Sequence, residues 1–170
     1  MANPMQSKRR ATEVAAYACQ VAANFQELIG CFLAKDYRLA QRAALSVRIA
    51  SMECPEMIVP HIGSLVDMLS RTDVHDAVIR NSARILQEIE IPTATHGKVM
   101  DVCFELIQNR NIAVAIRTFS LTILDNLSKL YPEIRNELGI IIEESMDFER
   151  PAFRARGKKI LAKIKNQKRP

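Results

Sequence analysis

The sequence predicts an all-α fold, an α-α superhelix of stacked helix pairs with about eight helices. Three observations predict it. Apolar residues at helical spacing return every 37–38 residues. Most prolines fall in the links between those segments. No run of useful length shows the period-2 alternation of a half-buried strand.

The repeat is clearest in the first helix of each pair. The segment from Ile116 to Leu127 carries apolar residues at 116, 119, 123, 124 and 127. The segment from Phe153 to Ile164 superposes on it without gaps at a shift of 37, so Ile123, Leu124 and Leu127 fall on Ile160, Leu161 and Ile164. A shift of 38 the other way reaches Ile85, Leu86 and Ile89, and a further 37 reaches Arg48, Ile49 and Met52, where only Arg48 departs from the pattern. The second helices repeat as well: Ile29 and Phe32 map onto Val66 and Leu69, then onto Cys103 and Leu106, at a period of 37. Leu138, Ile141 and Ile142 form a looser third copy after Pro132.

The elements follow in order. A helix is predicted over about 11–34. Helix pairs follow at about 36–53 with 57–71, 74–90 with 95–108, and 111–129 with 132–146, and a last helix covers about 151–166. Pro55 and Pro60, then Pro92 with the Thr93–Thr95 run, then Pro132 mark the links, because proline suits a first helical turn and disrupts a helix interior. Asp36, Asp73 and Asn111 stand where N-caps are wanted. Residues 1–10 read as a disordered basic N-terminus, 11–166 as one repeat domain, and 167–170 as a frayed tail. In such a stack each pair buries a face against the next, and the terminal helices act as caps.

This period and the apolar phases of the first helices resemble the HEAT/armadillo class of helical repeats over about residues 24–166. The stretches Gln41-Arg-Ala-Ala44, Ala113-Val-Ala-Ile-Arg117 and Ala155-Arg-Gly-Lys-Lys-Ile-Leu161 also resemble small uncharacterised HEAT-like proteins common in Bacteroidetes. Some of those carry the label adenylosuccinate lyase, but this chain has no Gly- and Ser-rich signature loop of the kind that enzyme uses. The resemblance implies a helical-repeat scaffold, and inter-repeat Arg–Asp ladders are usual in the class.

Composition narrows the function further. A chain of 170 residues with 48 % hydrophobic residues can bury a sizeable core without metal or disulfide. No apolar run approaches the roughly 18–20 residues that span a bilayer, so no membrane insertion is expected. The start, MANPMQSKRR, lacks the apolar core of a secretory signal, which points to the cytoplasm. Cys19, Cys31, Cys54 and Cys103 form no C-x-x-C pair and are expected to be reduced and mostly buried.

No enzyme chemistry emerges. His61, His75 and His96 fall in or beside three different links and read as solvated or capping residues. Ser46, Ser82 and Ser120 share one repeat phase, where a small residue lets helices approach. Gly157 suits close packing, and Glu143–Glu144 suits a solvated face because adjacent helical residues do not face each other. Met52, Met57, Met68, Met100 and Met146 read mostly as core filling. The expectation is no catalytic residue, no metal and no cofactor. HEAT-like DNA glycosylases rely on aromatic residues including Trp; this chain has no Trp, and its aromatics mostly occupy apolar phases.

Charge supplies the sharper candidates. The net charge of +5 hides an asymmetry: all the carboxylates lie within residues 11–149, so the two ends are strongly basic and the body is acidic. Arg42, Arg80, Arg117 and Arg154 recur at spacings of 38, 37 and 37. Stacked, they would either pair with a carboxylate of a neighbouring unit, such as Asp36, Asp73 or Asp76, or line an anion-binding groove, since a planar guanidinium suits phosphate and carboxylate. The last helix adds Arg150, Arg156, Lys158, Lys159, Lys163 and Lys165 with no acid among them. The expected function is a non-enzymatic scaffold binding a protein partner in its concave groove. The alternative is nucleic-acid phosphate binding by Arg42, Arg80, Arg117, Arg154, Arg156, Lys158, Lys159 and Lys163.

Overall fold

A computed structural model describes residues 8–167. Among them are ten α-helical segments and no strand. The chain divides into two compact units between Pro92 and Thr93.

The first unit holds α1 (Lys8–Ala18), α2 (Ala22–Phe32), α3 (Tyr37–Glu53), the single turn α4 (Pro55–Ile58), a 3₁₀ turn Val59–His61, α5 (Ile62–Leu69) and α6 (Asp76–Leu86). Its centre is α3, which packs on α1, α2, α4 and α6, while α5 packs on α6. The Asp36 side chain caps α3 by accepting from the Arg38 N–H at 2.9 Å. Pro55 at the first position of α4 fits a turn whose N–H needs no partner.

Several expectations are corrected here. The single helix expected over 11–34 is two helices. Val21 is extended, and the Asn24 side-chain amide donates to the Tyr17 carbonyl across the break. Two shorter helices can each lie against α3, which one straight rod could not do. Lys8–Arg10 belong to α1 rather than to a disordered arm; the rest of that arm, residues 1–7, and tail residues 168–170 lie outside the described residues. Cys19 and Cys54 are joined by a disulfide with a Cα–Cα distance of 6.1 Å, so the four thiols are not all reduced. The bridge ties the end of α1 to the end of α3. Asp73 does not cap α6: His75 does, its Nδ1 accepting from the Ala77 N–H at 3.1 Å, while Asp73 pairs with Arg71.

The second unit holds a 3₁₀ turn Thr93–Thr95, α7 (His96–Gln108), α8 (Val114–Leu127), α9 (Ile134–Ser145) and α10 (Pro151–Gln167). Here α8 packs between α7 and α10, and α9 lies on α10 and α7. The N-cap of α8 is Ala113, with no side-chain cap, so Asn111 does not fill that role. Its N–H is instead taken by the Asn109 side-chain oxygen.

The repeat phases predict the core of both units. Ile29, Phe32, Val66, Leu69, Cys103 and Leu106 are all buried, as are Ile85, Leu86, Ile123, Leu124, Leu127, Ile160 and Ile164. Each such aliphatic side chain contributes about 1.5–3 kcal/mol relative to an exposed one. Ser46, Ser82 and Ser120 are fully buried, in keeping with a small-residue contact phase. Methionine departs from expectation: Met68 is core, whereas Met52 is exposed and Met57, Met100 and Met146 are half-buried. Gly157 leaves room for the α9 side chain that packs on α10, since a Cβ there would stand 2.7 Å from the Ile142 Cγ2.

Candidate functional site

The eight basic residues expected to act together have different fates. In the first unit, Arg42 is exposed on α3 and Arg80 is half-buried on α6. Arg80 lines a recess of about 240 Å³ between α3 and α6, with Arg48, Arg84, Gln41 and Asn81. Arg48 explains the one departure from the apolar repeat: its Nε and Nη2 donate to both Glu88 oxygens at 2.6 and 2.8 Å, stapling α3 to the chain just beyond α6. Its aliphatic stem covers apolar surface while its head finds a fixed acid. Arg80 and Arg84 have no ion pair or hydrogen-bonded side-chain partner among the described residues.

In the second unit Arg117 leaves the surface altogether. It is 3 % exposed and pairs with Glu149, itself 4 % exposed, at 2.6 Å. Its Nε and Nη2 also donate to the Ile107 carbonyl at the end of α7, and its guanidinium lies 4.8 Å from the Phe153 ring centroid. One side chain thus fastens α7, α8, the α9–α10 link and α10 together. Of the two uses expected of the repeated arginines, Arg117 takes the pairing one, with Glu149 as its acid rather than one of the three aspartates. Two more of the eight are also engaged, Arg156 with the Thr122 hydroxyl and Lys163 with Asp125, which hold α10 to α8. Arg154, Lys158 and Lys159 remain exposed on α10 and have no ion pair among the described residues.

Over the Arg117–Glu149 pair opens a recess of about 420 Å³, rimmed by Arg110, Arg150 and Phe148. Phe148 is 72 % exposed, the most exposed large hydrophobic residue of the described chain, and the Arg110 guanidinium sits 4.9 Å from its ring centroid. The uncapped first turn of α8 faces the same recess through Ala113 and Val114. With Arg117 neutralised by Glu149, two positive charges and an aromatic face remain at the rim. Spacing did not reveal this arrangement, because Arg110, Phe148, Glu149 and Arg150 lie in links outside the helical period. The only signal was an aromatic residue between charged neighbours in a link.

The histidines sit in capping and ring contacts, and of the free cysteines Cys103 is buried and Cys31 half-buried. His61 is half-buried, stacked on Phe25, and burial lowers its pKa. His96 is buried rather than solvated, its Nδ1 2.9 Å from the Tyr131 hydroxyl. Burial pushes the Cys103 thiol up to about 12. Among the described residues no three His, Cys, Asp or Glu side chains are grouped so as to hold a metal ion. Nor, among the described residues, is any helix long and apolar enough to cross a membrane.

The family model for the HEAT repeat domain matches residues 3–164. The chain belongs to the HEAT repeat family. No curated protein and no solved structure matches it. In HEAT terms α3, α6, α8 and α10 are first helices of successive repeats. The Arg48–Glu88 and Lys163–Asp125 pairs are therefore repeat-to-repeat staples within their own units. HEAT repeats are typically helical scaffolds that often carry protein interactions.

Proposed function

We propose that this HEAT repeat protein is a non-enzymatic scaffold that binds a protein partner in the groove expected of stacked repeats. The rim formed by Phe148, Arg110 and Arg150 is its principal contact in the second unit. The observation that carries this reading is Phe148, a large aromatic residue held in solvent beside a guanidinium at the mouth of an open recess. Aromatic and arginine side chains dominate interface energies because they bury much area at little conformational cost. The two rim arginines favour a partner segment carrying an acid next to an apolar residue.

A second reading has its own observation. Arg154, Lys158 and Lys159 share the exposed side of α10 without an ion pair, a surface suited to a phosphate backbone. The two readings separate in one experiment, capture from lysate with and without nuclease at low and moderate salt. The scaffold reading expects a defined protein that survives nuclease and moderate salt and is lost with Phe148→Ala, which leaves the fold intact. Capture that vanishes with nuclease, and is indifferent to Phe148→Ala, transfers the function to α10.

A further inference from the structure

We infer that the recess between α3 and α6 is a binding site for a phosphomonoester dianion. It lies in the first unit and is independent of the Phe148 surface. Three arginines line it, Arg48, Arg80 and Arg84. Only one has its charge met: Glu88 takes the Nε and Nη2 of Arg48 in a two-point pair. With Glu88 outside the lining and no carboxylate among the lining residues, the local balance is two positive charges. Like charges on successive turns of one helix, as Arg80 and Arg84 are, repel each other and weaken the helix slightly. A bound anion removes that repulsion.

Charge matching selects the ligand class. A lone carboxylate would leave one guanidinium unmet, whereas a phosphoryl dianion meets both and presents three oxygens to planar donor forks. Gln41 and Asn81 add amide groups, and Leu45 with Ile85 supplies an apolar wall. A volume of about 240 Å³ holds a phosphoryl group with a small organic portion, and not a large cofactor. Half-burial of Arg80 restricts its motion and lowers solvent screening, so its bonds to an oxyanion gain strength over those of a fully exposed arginine. The phosphoryl group could come from a phosphorylated residue of a protein or from a small free phosphate.

Calorimetric titration of the full chain with inorganic phosphate, at a pH where it is dianionic and against chloride of equal ionic strength, tests the site. One-site binding is expected. Arg80→Gln and Arg84→Gln should each weaken it about tenfold or more, the loss of a charge-assisted hydrogen bond, while Lys158→Gln with Lys159→Gln leaves it unchanged. Acetate should bind at least about tenfold more weakly than phosphate. A phosphoserine peptide that binds tighter than phosphate, with its unphosphorylated form silent, assigns a protein source; a sugar phosphate that outcompetes the peptide assigns a small one. Arg84 is exposed, so its variant reports even if Arg80→Gln unfolds. Heats equal to those of chloride, or binding lost with the α10 lysines but kept in both arginine variants, overturn the proposal.

Discussion

Replacing Arg117 by alanine should nearly unfold the second unit. Arg117 and Glu149 are buried and paired at 2.6 Å, so the substitution strands a carboxylate in the interior. Breaking a buried pair from one side costs about 3–5 kcal/mol. The Ile107 carbonyl loses both of its Arg117 donors, and a stranded acceptor adds about 1–3 kcal/mol. The contact with the Phe153 ring adds about 0.5–1 kcal/mol. These effects overlap, and a total of about 4–6 kcal/mol is expected, against a typical domain stability of about 5–15 kcal/mol. Urea unfolding followed by circular dichroism measures it, with the denaturant slope held as a check on two-state behaviour. Glu149→Ala should cost less, about 2–4 kcal/mol, because Arg117 keeps the Ile107 carbonyl. Arg117→Met combined with Glu149→Met should cost only about 1–3 kcal/mol, since no charge is left uncompensated and the Ile107 carbonyl alone loses its donors. A cost below about 1 kcal/mol for Arg117→Ala, or a double variant as unstable as the summed singles, would refute the reasoning.

Other consequences are equally direct. Without reductant, the denatured chain should show two titratable thiols, Cys31 and Cys103, and four after reduction. In the native state the Cys103 thiol, held near 12 by burial, should resist alkylation while the half-buried Cys31 reacts; four thiols in denaturant without reductant would exclude the bridge. Gly157→Ala gains about 1 kcal/mol of helix propensity but forces a methyl against Ile142, so thermal unfolding should show a net loss of about 1 kcal/mol; a higher midpoint would contradict the close contact. Ser82→Ala should stabilise by about 1 kcal/mol, since the Ser82 hydroxyl is buried with no hydrogen-bond partner among the described residues, whereas Ser120→Ala, whose hydroxyl bonds the Ile116 carbonyl, should not. His61 has a lowered pKa, so the folded state favours its neutral ring. The stability this lends is complete above the unfolded value of about 6.5 and is lost as pH falls through the lower folded value; His61→Leu should flatten that acid-side decline in the unfolding midpoint.

The core was legible because burial obeys the helical period. Ile29, Val66 and Cys103 stand 37 residues apart and all three are buried, since equivalent helix faces meet equivalent neighbours. The break between α1 and α2 was not legible, for a reason internal to the same rule. Ala11, Ala15, Ala18, Phe25 and Ile29 keep one stripe across the break, so a continuous helix and a broken one share the same apolar pattern. Extended Val21 and the Cys19–Cys54 bridge distinguish them, and both depend on how the chain folds back on α3.

The arginines show where periodicity stops informing function. Arg80 and Arg117 hold the same phase and each lines a recess, yet Arg80 is half-buried with no ion pair among the described residues, while Arg117 is buried and paired with Glu149. The difference lies in the links. Arg117 meets Glu149 from the α9–α10 link, and one period earlier, at a shift of 37, that acid is replaced by Ile112. Another pair of acids does recur: Glu88, just past α6, and Asp125 on α8 stand 37 apart, but Glu88 reaches back to Arg48 and Asp125 reaches forward to Lys163. A repeat therefore sets which face a charged residue occupies, while the non-repeating links decide whether its charge is met. For anion binding, the candidates are the repeated arginines that lack a linked acid. That criterion selects Arg80 in the first unit and Arg154 in the second, and excludes Arg117.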